Sequence, residues 1–210
     1  IRFGIDPKAI IFAGVGKSEE EIINALNDGI VFFSVESESE LYLINKVASQ
    51  LGKYAKISVR VNPNVDGKTH DKISTGRKGD KFGIDIEDAP RIYQIAKELS
   101  NIKIHGIATH IGSQIILLDP FSQAFIRIKQ LYFTLKKLGI LVKNIDLGGG
   151  IGIKYHNEEI IDIKAYAKMV KDIFSDIDVK LIFAPGRFLV AQAGIAVTEV
   201  IHLKKTNHKN

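Results

Sequence analysis

Short apolar runs alternate with longer amphipathic stretches along the whole chain, and the alternation predicts the elements in order. Ile10-Ile11-Phe12-Ala13 reads as a strand, and Ser18-Glu19-Glu20-Glu21 opens a helix through a capping box, with Asp28-Gly29 as its stop. Val31 to Val35 reads as a strand and Ser37 to Gln50 as a helix that places Leu41, Ile44 and Val47 on one face before Gly52 ends it. Lys56 to Val61 is a third strand, followed by a polar, glycine-bearing loop from Asn62 to Gly83. Helix, strand and helix follow at Ala89–Leu99, Lys103–Thr109 and Pro120–Leu138. The series then continues with a strand at Asn144–Leu147, a helix at Asp162–Phe174 and a strand at Val179–Phe183.

About six strand-then-helix units in series imply a parallel sheet with right-handed crossovers. The last apolar run, Gly194 to Leu203, alternates with no helix after it, so it is expected to start a different, antiparallel sheet. Two parallel architectures compete. A (β/α) barrel gathers ligand groups at the C-terminal strand ends, often with a phosphate site after its last strands. A doubly wound sheet carries its phosphate loop after the first strand, here Ala13-Gly14-Val15-Gly16-Lys17, with an acidic residue about 20 positions on, where Glu36 stands. That loop lacks a third glycine, and the barrel is the favoured expectation.

Candidate chemistry sits where a barrel would put it. Gly148-Gly149-Gly150 closes the Asn144–Leu147 strand, and three successive N–H groups without side chains suit a phosphate. Pro185-Gly186-Arg187 follows the next strand and adds a fixed positive charge, so neighbouring strands are expected to share one anion site.

Composition narrows the class. In 210 residues, 45% are hydrophobic and 25% charged, as in a globular protein with one sizeable core. Cysteine is absent, which excludes a disulfide framework and thiolate metal sites and makes a reducing, cytoplasmic setting the expectation. Apolar runs such as Ile111 to Leu118 are too short to span a bilayer. The net charge of +5 comes from lysines spread through Lys53, Lys56, Lys68, Lys97, Lys136, Lys137 and Lys171 without aromatic interleaving, so solvated helix faces are expected rather than a nucleic-acid stripe. The basic cluster Lys204-Lys205-Thr206-Asn207-His208-Lys209 reads as a frayed terminus. The chain opens on Ile1 rather than methionine, as a piece of a longer protein would.

Several strand ends carry a wording more specific than periodicity. The segments Ser58-Val59-Arg60-Val61-Asn62-Pro63, Lys68-Thr69-His70-Asp71-Lys72-Ile73-Ser74-Thr75-Gly76, Lys81-Phe82-Gly83-Ile84, His110-Ile111-Gly112-Ser113-Gln114, Asp146 to Gly150 and Pro185-Gly186-Arg187 together resemble the diaminopimelate decarboxylases. These are pyridoxal-phosphate-dependent enzymes of the alanine-racemase-like barrel group. The resemblance runs over nearly the whole chain, and its Thr-His loop and Gly-Ser-Gln wording resemble the diaminopimelate branch more than its ornithine- and arginine-specific relatives.

The resemblance implies a TIM-type α/β barrel, partial here with about six of eight units. Residues 1–193 would form the cofactor-binding barrel and 194–210 the start of a C-terminal β-domain. It implies decarboxylation of meso-2,6-diaminopimelate to L-lysine and carbon dioxide, pyridoxal 5'-phosphate as cofactor, no metal, and a homodimer in the intact family member.

The same resemblance assigns roles to individual residues. His110 would stack on the cofactor ring, Ser113 would donate to the phosphate, and Gly112 would keep the backbone clear. Gly148, Gly149, Gly150 and Gly186 would form the phosphate loop, and Arg187 would contact cofactor and substrate carboxylate. Arg60 would balance acidic groups near the cofactor, with a structural salt bridge as the open alternative. Lys72, Ser74 and Lys81 would meet substrate or a partner subunit, while His105 reads as structural. The family's Schiff-base lysine lies on its first barrel strand, outside this chain, so no residue takes that role. The family's glutamate at the ring nitrogen is replaced by Ala184, which leaves the ring a poorer electron sink, and the 210-residue chain alone is expected to be inactive. A non-catalytic homologue, or a decayed fragment, that binds the cofactor or an intact decarboxylase subunit is the alternative.

Overall fold

The computed structural model describes residues 1, 3–70, 73–77 and 79–204. Its frame is a curled parallel half-barrel in which the strands follow one another in chain order: β1 (Ile11–Phe12), β2 (Phe32–Val35), β3 (Ala55–Asn62), β5 (Ile102–Ala108), β6 (Asn144–Asp146) and β7 (Lys180–Ile182). A seventh strand, β4 (Ile84–Asp85), pairs in parallel with the end of β3 through Val61–Ile84 and Asn62–Asp85. Among the described residues the strand order does not reverse, and they contain no switch point of the kind a doubly wound sheet needs.

Helices α1 (Glu19–Asp28), α2 (Glu38–Gln50), α3 (Ala89–Glu98), α4 (Leu118–Lys137) and α5 (Ile163–Phe174) cover one face, and a short α6 (Gly186–Val190) follows β7. Their boundaries follow local chemistry. Ser18 accepts from the Glu21 amide while the Glu21 side chain accepts from the Ser18 amide, a reciprocal cap worth about 1 kcal/mol. Gly29 closes α1 in the left-handed region at φ 75°. Asp162 caps α5 by accepting from the Lys164 amide.

Strand alternation separates two environments. Phe33, Val35, Ile57, Val59, Val61, Ile145 and Leu147 point toward the helices and join Leu41, Ile44, Ile92, Phe121, Phe125, Ile128 and Tyr166 in one core. Their alternates, Ser34, Glu36, Ser58, Arg60, Asn62, Asn144 and Asp146, therefore face the inside of the half-barrel. That inner surface is polar near the C-terminal strand ends, where chemistry rather than packing selects residues.

One expectation needs correction. Gly194 to Leu203 is not a strand: among the described residues no ladder pairs it, and Ile195, Val197 and Leu203 stand exposed. Alternation provides an apolar face, but a strand also needs a neighbouring edge for its N–H and C=O groups. The Asn62–Gly83 loop, for its part, is built into the fold. Val65 N–H donates to Gly76 O at 2.6 Å, Thr75 N–H to Ile111 O at 3.3 Å and Ser113 N–H to Ile73 O at 3.0 Å, and Ser74 bridges Gly112 in antiparallel sense. The loop thus lies over the residues that follow β5.

Candidate active site at the C-terminal strand ends

The site is assembled from the residues just beyond β2, β3, β5, β6 and β7. Gly148 donates its amide to Asp146 Oδ1 at 2.9 Å, and Gly149 donates to His110 Nδ1 at 3.3 Å. Two of the three glycine amides expected to be open to an anion are therefore already taken. Gly150 N–H has no partner among the described residues, while its carbonyl accepts from Ile115 N–H at 2.9 Å.

The glycines are needed for a second, steric reason. A Cβ at Gly149 would stand 2.1 Å from Ala184 O, at Gly148 2.4 Å from Thr109 O, and at Gly150 2.3 Å from Gly112 O. Gly148 and Gly150 also sit at φ 68° and 96°, conformations that favour glycine. The triplet is where the loops after β5, β6 and β7 meet with no room for side chains. A plain packing role accordingly demands glycine as strongly as an anion would.

His110 carries the next layer. With Nδ1 accepting from Gly149, the neutral ring holds its proton on Nε2. Burial, with a smaller contribution from the Arg60 charge, pulls its pKa down to about 4, so the imidazole stays uncharged through the neutral range. Thr75 Oγ1 donates to the His110 carbonyl at 2.7 Å and fixes the backbone beneath the ring.

Asp146, half-buried on the inner face, was missed by sequence reasoning. Burial raises its pKa, and the Gly148 hydrogen bond and the Arg60 charge partly offset this. Its signal was the alternation of β6, which turns Asn144 and Asp146 opposite to the buried Ile145 and Leu147.

Arg60 is held in an ion pair, Nη1 to Glu36 Oε1 at 2.8 Å, with side-chain exposures of 13% and 2%. The salt-bridge alternative is what the structure contains, yet the same guanidinium acts on both His110 and Asp146. Glu36 is thereby removed from the ribose-binding role a doubly wound fold would have given it. Lys17 leaves the phosphate-loop reading too, since its ammonium is buried against Glu40, Gly14 O and Ser34 O.

The remaining expected residues divide. Gly186 and Arg187 begin α6, and Arg187 Nη1 donates to Tyr155 Oη at 3.2 Å on the open side of the loop after β6. Ala184 lies beside the triplet, its amide donating to Gly148 O at 2.8 Å, and presents only a methyl group. Ser113 is half-buried, with its N–H on Ile73 O and its carbonyl accepting from Thr69 Oγ1 at 2.7 Å. Ser74 is buried, and its hydroxyl donates to Asp80 and accepts from Arg77 Nε within the loop. Lys81 is exposed, its ammonium 5.1 Å from the Phe82 ring centre. Lys72 lies outside the described residues.

His105 remains apart, tilted 46° against Phe32 at the opposite end of the sheet. Sequence reasoning also missed the clamp by Gln114, whose side-chain amide donates to Ile153 O and accepts from Ile153 N–H. It ties the β5 loop to the glycine loop.

A groove of about 540 Å³ between α5, β7 and α6 is lined by Tyr166, Val170, Phe174, Leu181 and Phe183. It is apolar, and Gly148 is among its lining residues. No helix among the described residues is long and apolar enough to cross a membrane.

Known proteins place this geometry. The family model described as "Pyridoxal-dependent decarboxylase, pyridoxal binding domain" matches residues 1–191. Diaminopimelate decarboxylase of Vibrio cholerae is 47% identical over 208 residues, covering 99% of this chain and 50% of that protein. The enzyme of the same name from Neisseria meningitidis serogroup A is 48% identical over 207 residues, covering 99% and 51%. The crystal structure of Helicobacter pylori diaminopimelate decarboxylase complexed with L-lysine superposes with a TM-score of 0.86 at 41% identity, covering 89% of this chain and 47% of that one. The chain spans about half the length of the relatives it matches.

Proposed function

Because the chain belongs to the pyridoxal-dependent decarboxylases through their pyridoxal-binding domain, we propose that it is the cofactor-holding part of a diaminopimelate decarboxylase, which converts meso-2,6-diaminopimelate to L-lysine and carbon dioxide. One observation carries the reading of the site. Successive glycine amides tether Asp146 and His110 where the loops after β5, β6 and β7 meet, leaving the Gly150 amide open beside them.

The residues present fit pyridoxal phosphate on its phosphate side. Gly150 N–H and the first-turn amides of α6, those of Arg187 and Phe188, which lack intrahelical partners by helix geometry, would hold the phosphate. Bare backbone at 148–150 permits close approach. When bound, the cofactor supplies an electron-accepting ring that takes up the electron pair left by departing carbon dioxide.

The chain's own residues do the rest. His110, neutral and locked as its Nε2–H tautomer, presents a flat uncharged face to the ring. Arg60, held by Glu36, keeps a positive charge beside the acidic Asp146. Arg187 supplies a planar fork for a substrate carboxylate once it leaves Tyr155. Residues 1–193 form the barrel part and 194–210 lead into a second domain. The working protein is a cytoplasmic homodimer acting on an amino acid, without nucleic-acid or membrane partners.

Ala184 favours a second reading, a homologue that binds cofactor without efficient turnover. A methyl group cannot keep a proton on a ring nitrogen.

Titration of the 210-residue chain with pyridoxal phosphate and with pyridoxal, followed by cofactor absorbance, tests the site. The phosphate-bearing form binds at least about tenfold more tightly, the equivalent of roughly 1.4 kcal/mol. Equal affinities would remove the phosphate cradle.

A further inference from the structure

Behind Arg60 runs a chain of buried charges that starts on the helix side of the sheet. Lys17, with its side chain 1% exposed, donates to Glu40 Oε1 at 2.6 Å and to Ser34 O at 2.8 Å. The other oxygen of Glu40 accepts the Glu36 amide at 2.6 Å. The Glu36 carboxylate then divides its oxygens: Oε1 accepts from Arg60 Nη1 at 2.8 Å and Oε2 accepts from Gly83 N–H at 3.3 Å. Phe82 flanks the guanidinium, 5.1 Å from ring centre to Cζ.

We propose that Glu36 is a positioning residue, which aims the Arg60 fork into the ligand end of the half-barrel and fastens the returning end of the 62–83 loop against the same arginine. The proposal deepens the function above and rests on it only for what Arg60 would meet.

Three features support positioning over plain stability. Two cations and two anions in series sum to zero, yet a buried ion pair seldom stabilises a fold more than apolar packing in its place, because desolvation offsets the attraction. The carboxylate engages one terminal nitrogen of Arg60, while Nε and Nη2 have no partner among the described residues and remain available to a ligand. Gly83, at φ 78°, is seated so closely on β3 that a Cβ there would stand 3.1 Å from Arg60 O. Glu36 therefore touches the arginine's side chain and the loop that abuts its backbone. Without it, a long side chain with several rotatable bonds loses its one fixed direction.

The test uses the 210-residue chain without cofactor, so it reads Arg60 placement whether or not pyridoxal phosphate binds. The readout is the NMR titration of the His110 imidazole. Arg60 on β3 is the charge that acts on it, and Asp146 at the end of β6 shares its face of the sheet. Arg60→Gln raises the His110 midpoint from about 4; loss of the Glu36 carboxylate by itself acts to lower it by removing an anion, so the rise expected in Glu36→Ala reports displacement of the Arg60 charge. The double variant moves it no further than Arg60→Gln alone, and Glu36→Gln, which keeps an acceptor oxygen, recovers part of the native value. A Glu36→Ala midpoint equal to native while Arg60→Gln shifts it, or additive shifts in the double variant, overturns the proposal. Where Glu36→Ala fails to fold, Glu36→Gln decides alone: a midpoint partway toward that of Arg60→Gln supports positioning, and an unchanged midpoint refutes it.

Discussion

Gly149 donates its backbone amide to Nδ1 of His110, and the same glycine leaves no space for a side chain because Ala184 O occupies the place a Cβ would take. One residue thus sets the tautomer of the imidazole and the spacing of two strand ends. Gly149→Ala must push apart the loops after β6 and β7 and break the His110 bond. A loss of about 2–4 kcal/mol of stability is expected, read by urea denaturation, as for overpacked sites with strained neighbours.

The low pKa of His110 makes stability depend on pH with a definite sign. In the unfolded chain the imidazole takes up a proton near its ordinary value of 6.5, while in the fold it resists until about 4. Between those values the unfolded state binds more protons, so stability is full above the upper value and falls as pH drops through the window, by up to about 3 kcal/mol. His105, whose pKa is also lowered by burial, acts in the same direction. Asp146, raised, works in the opposite sense just above the ordinary carboxylate range, favouring the fold when protonated. His110→Gln should flatten the slope between pH 6.5 and 4 in a series of denaturation curves, with the His105 contribution left behind.

Lys17 is almost fully enclosed and depends on Glu40 for its counter-charge. Glu40→Ala leaves an ammonium among backbone carbonyls with no anion, at an expected cost of about 3–5 kcal/mol. The paired variant Lys17→Met with Glu40→Leu should recover most of that loss in thermal melts, because removing both charges removes the desolvation cost too.

Ser58 Oγ is buried without a hydrogen-bond partner among the described residues, 2.6 Å from where a Cβ on Gly106 would lie. Ser58→Ala is expected to hold or raise stability by about 1 kcal/mol, since it removes an unsatisfied polar group. Gly106→Ala, which drives a methyl group into Ser58 Oγ and Asn144 O, is expected to destabilise in the same denaturation assay.

The strand–helix series was legible because each unit carries its own signals. Ser18 with Glu21 announces α1, and Leu41, Ile44 and Val47 declare the buried face of α2. The triplet at 148–150 was legible as a turn after the β6 strand, although its amides are partly spent on Asp146 and His110. What stayed hidden depends on facing and distance. Glu36 and Arg60 are 24 positions apart and meet only because β2 and β3 lie side by side. Asp146 looked like an ordinary strand residue until its neighbours were seen to point the other way. The two-residue β4 sits in a polar loop with no periodicity to betray it. Gly194–Leu203 shows the converse failure, since alternation there describes a face but supplies no partner strand.

The most direct measurement is decarboxylation by a protein that carries this segment at the full length of its relatives, saturated with pyridoxal phosphate and given meso-2,6-diaminopimelate. The account predicts carbon dioxide and L-lysine released in equal amounts, with no release from ornithine or arginine at comparable rate. A folded, cofactor-loaded protein that releases no carbon dioxide from diaminopimelate, or prefers ornithine, would contradict it.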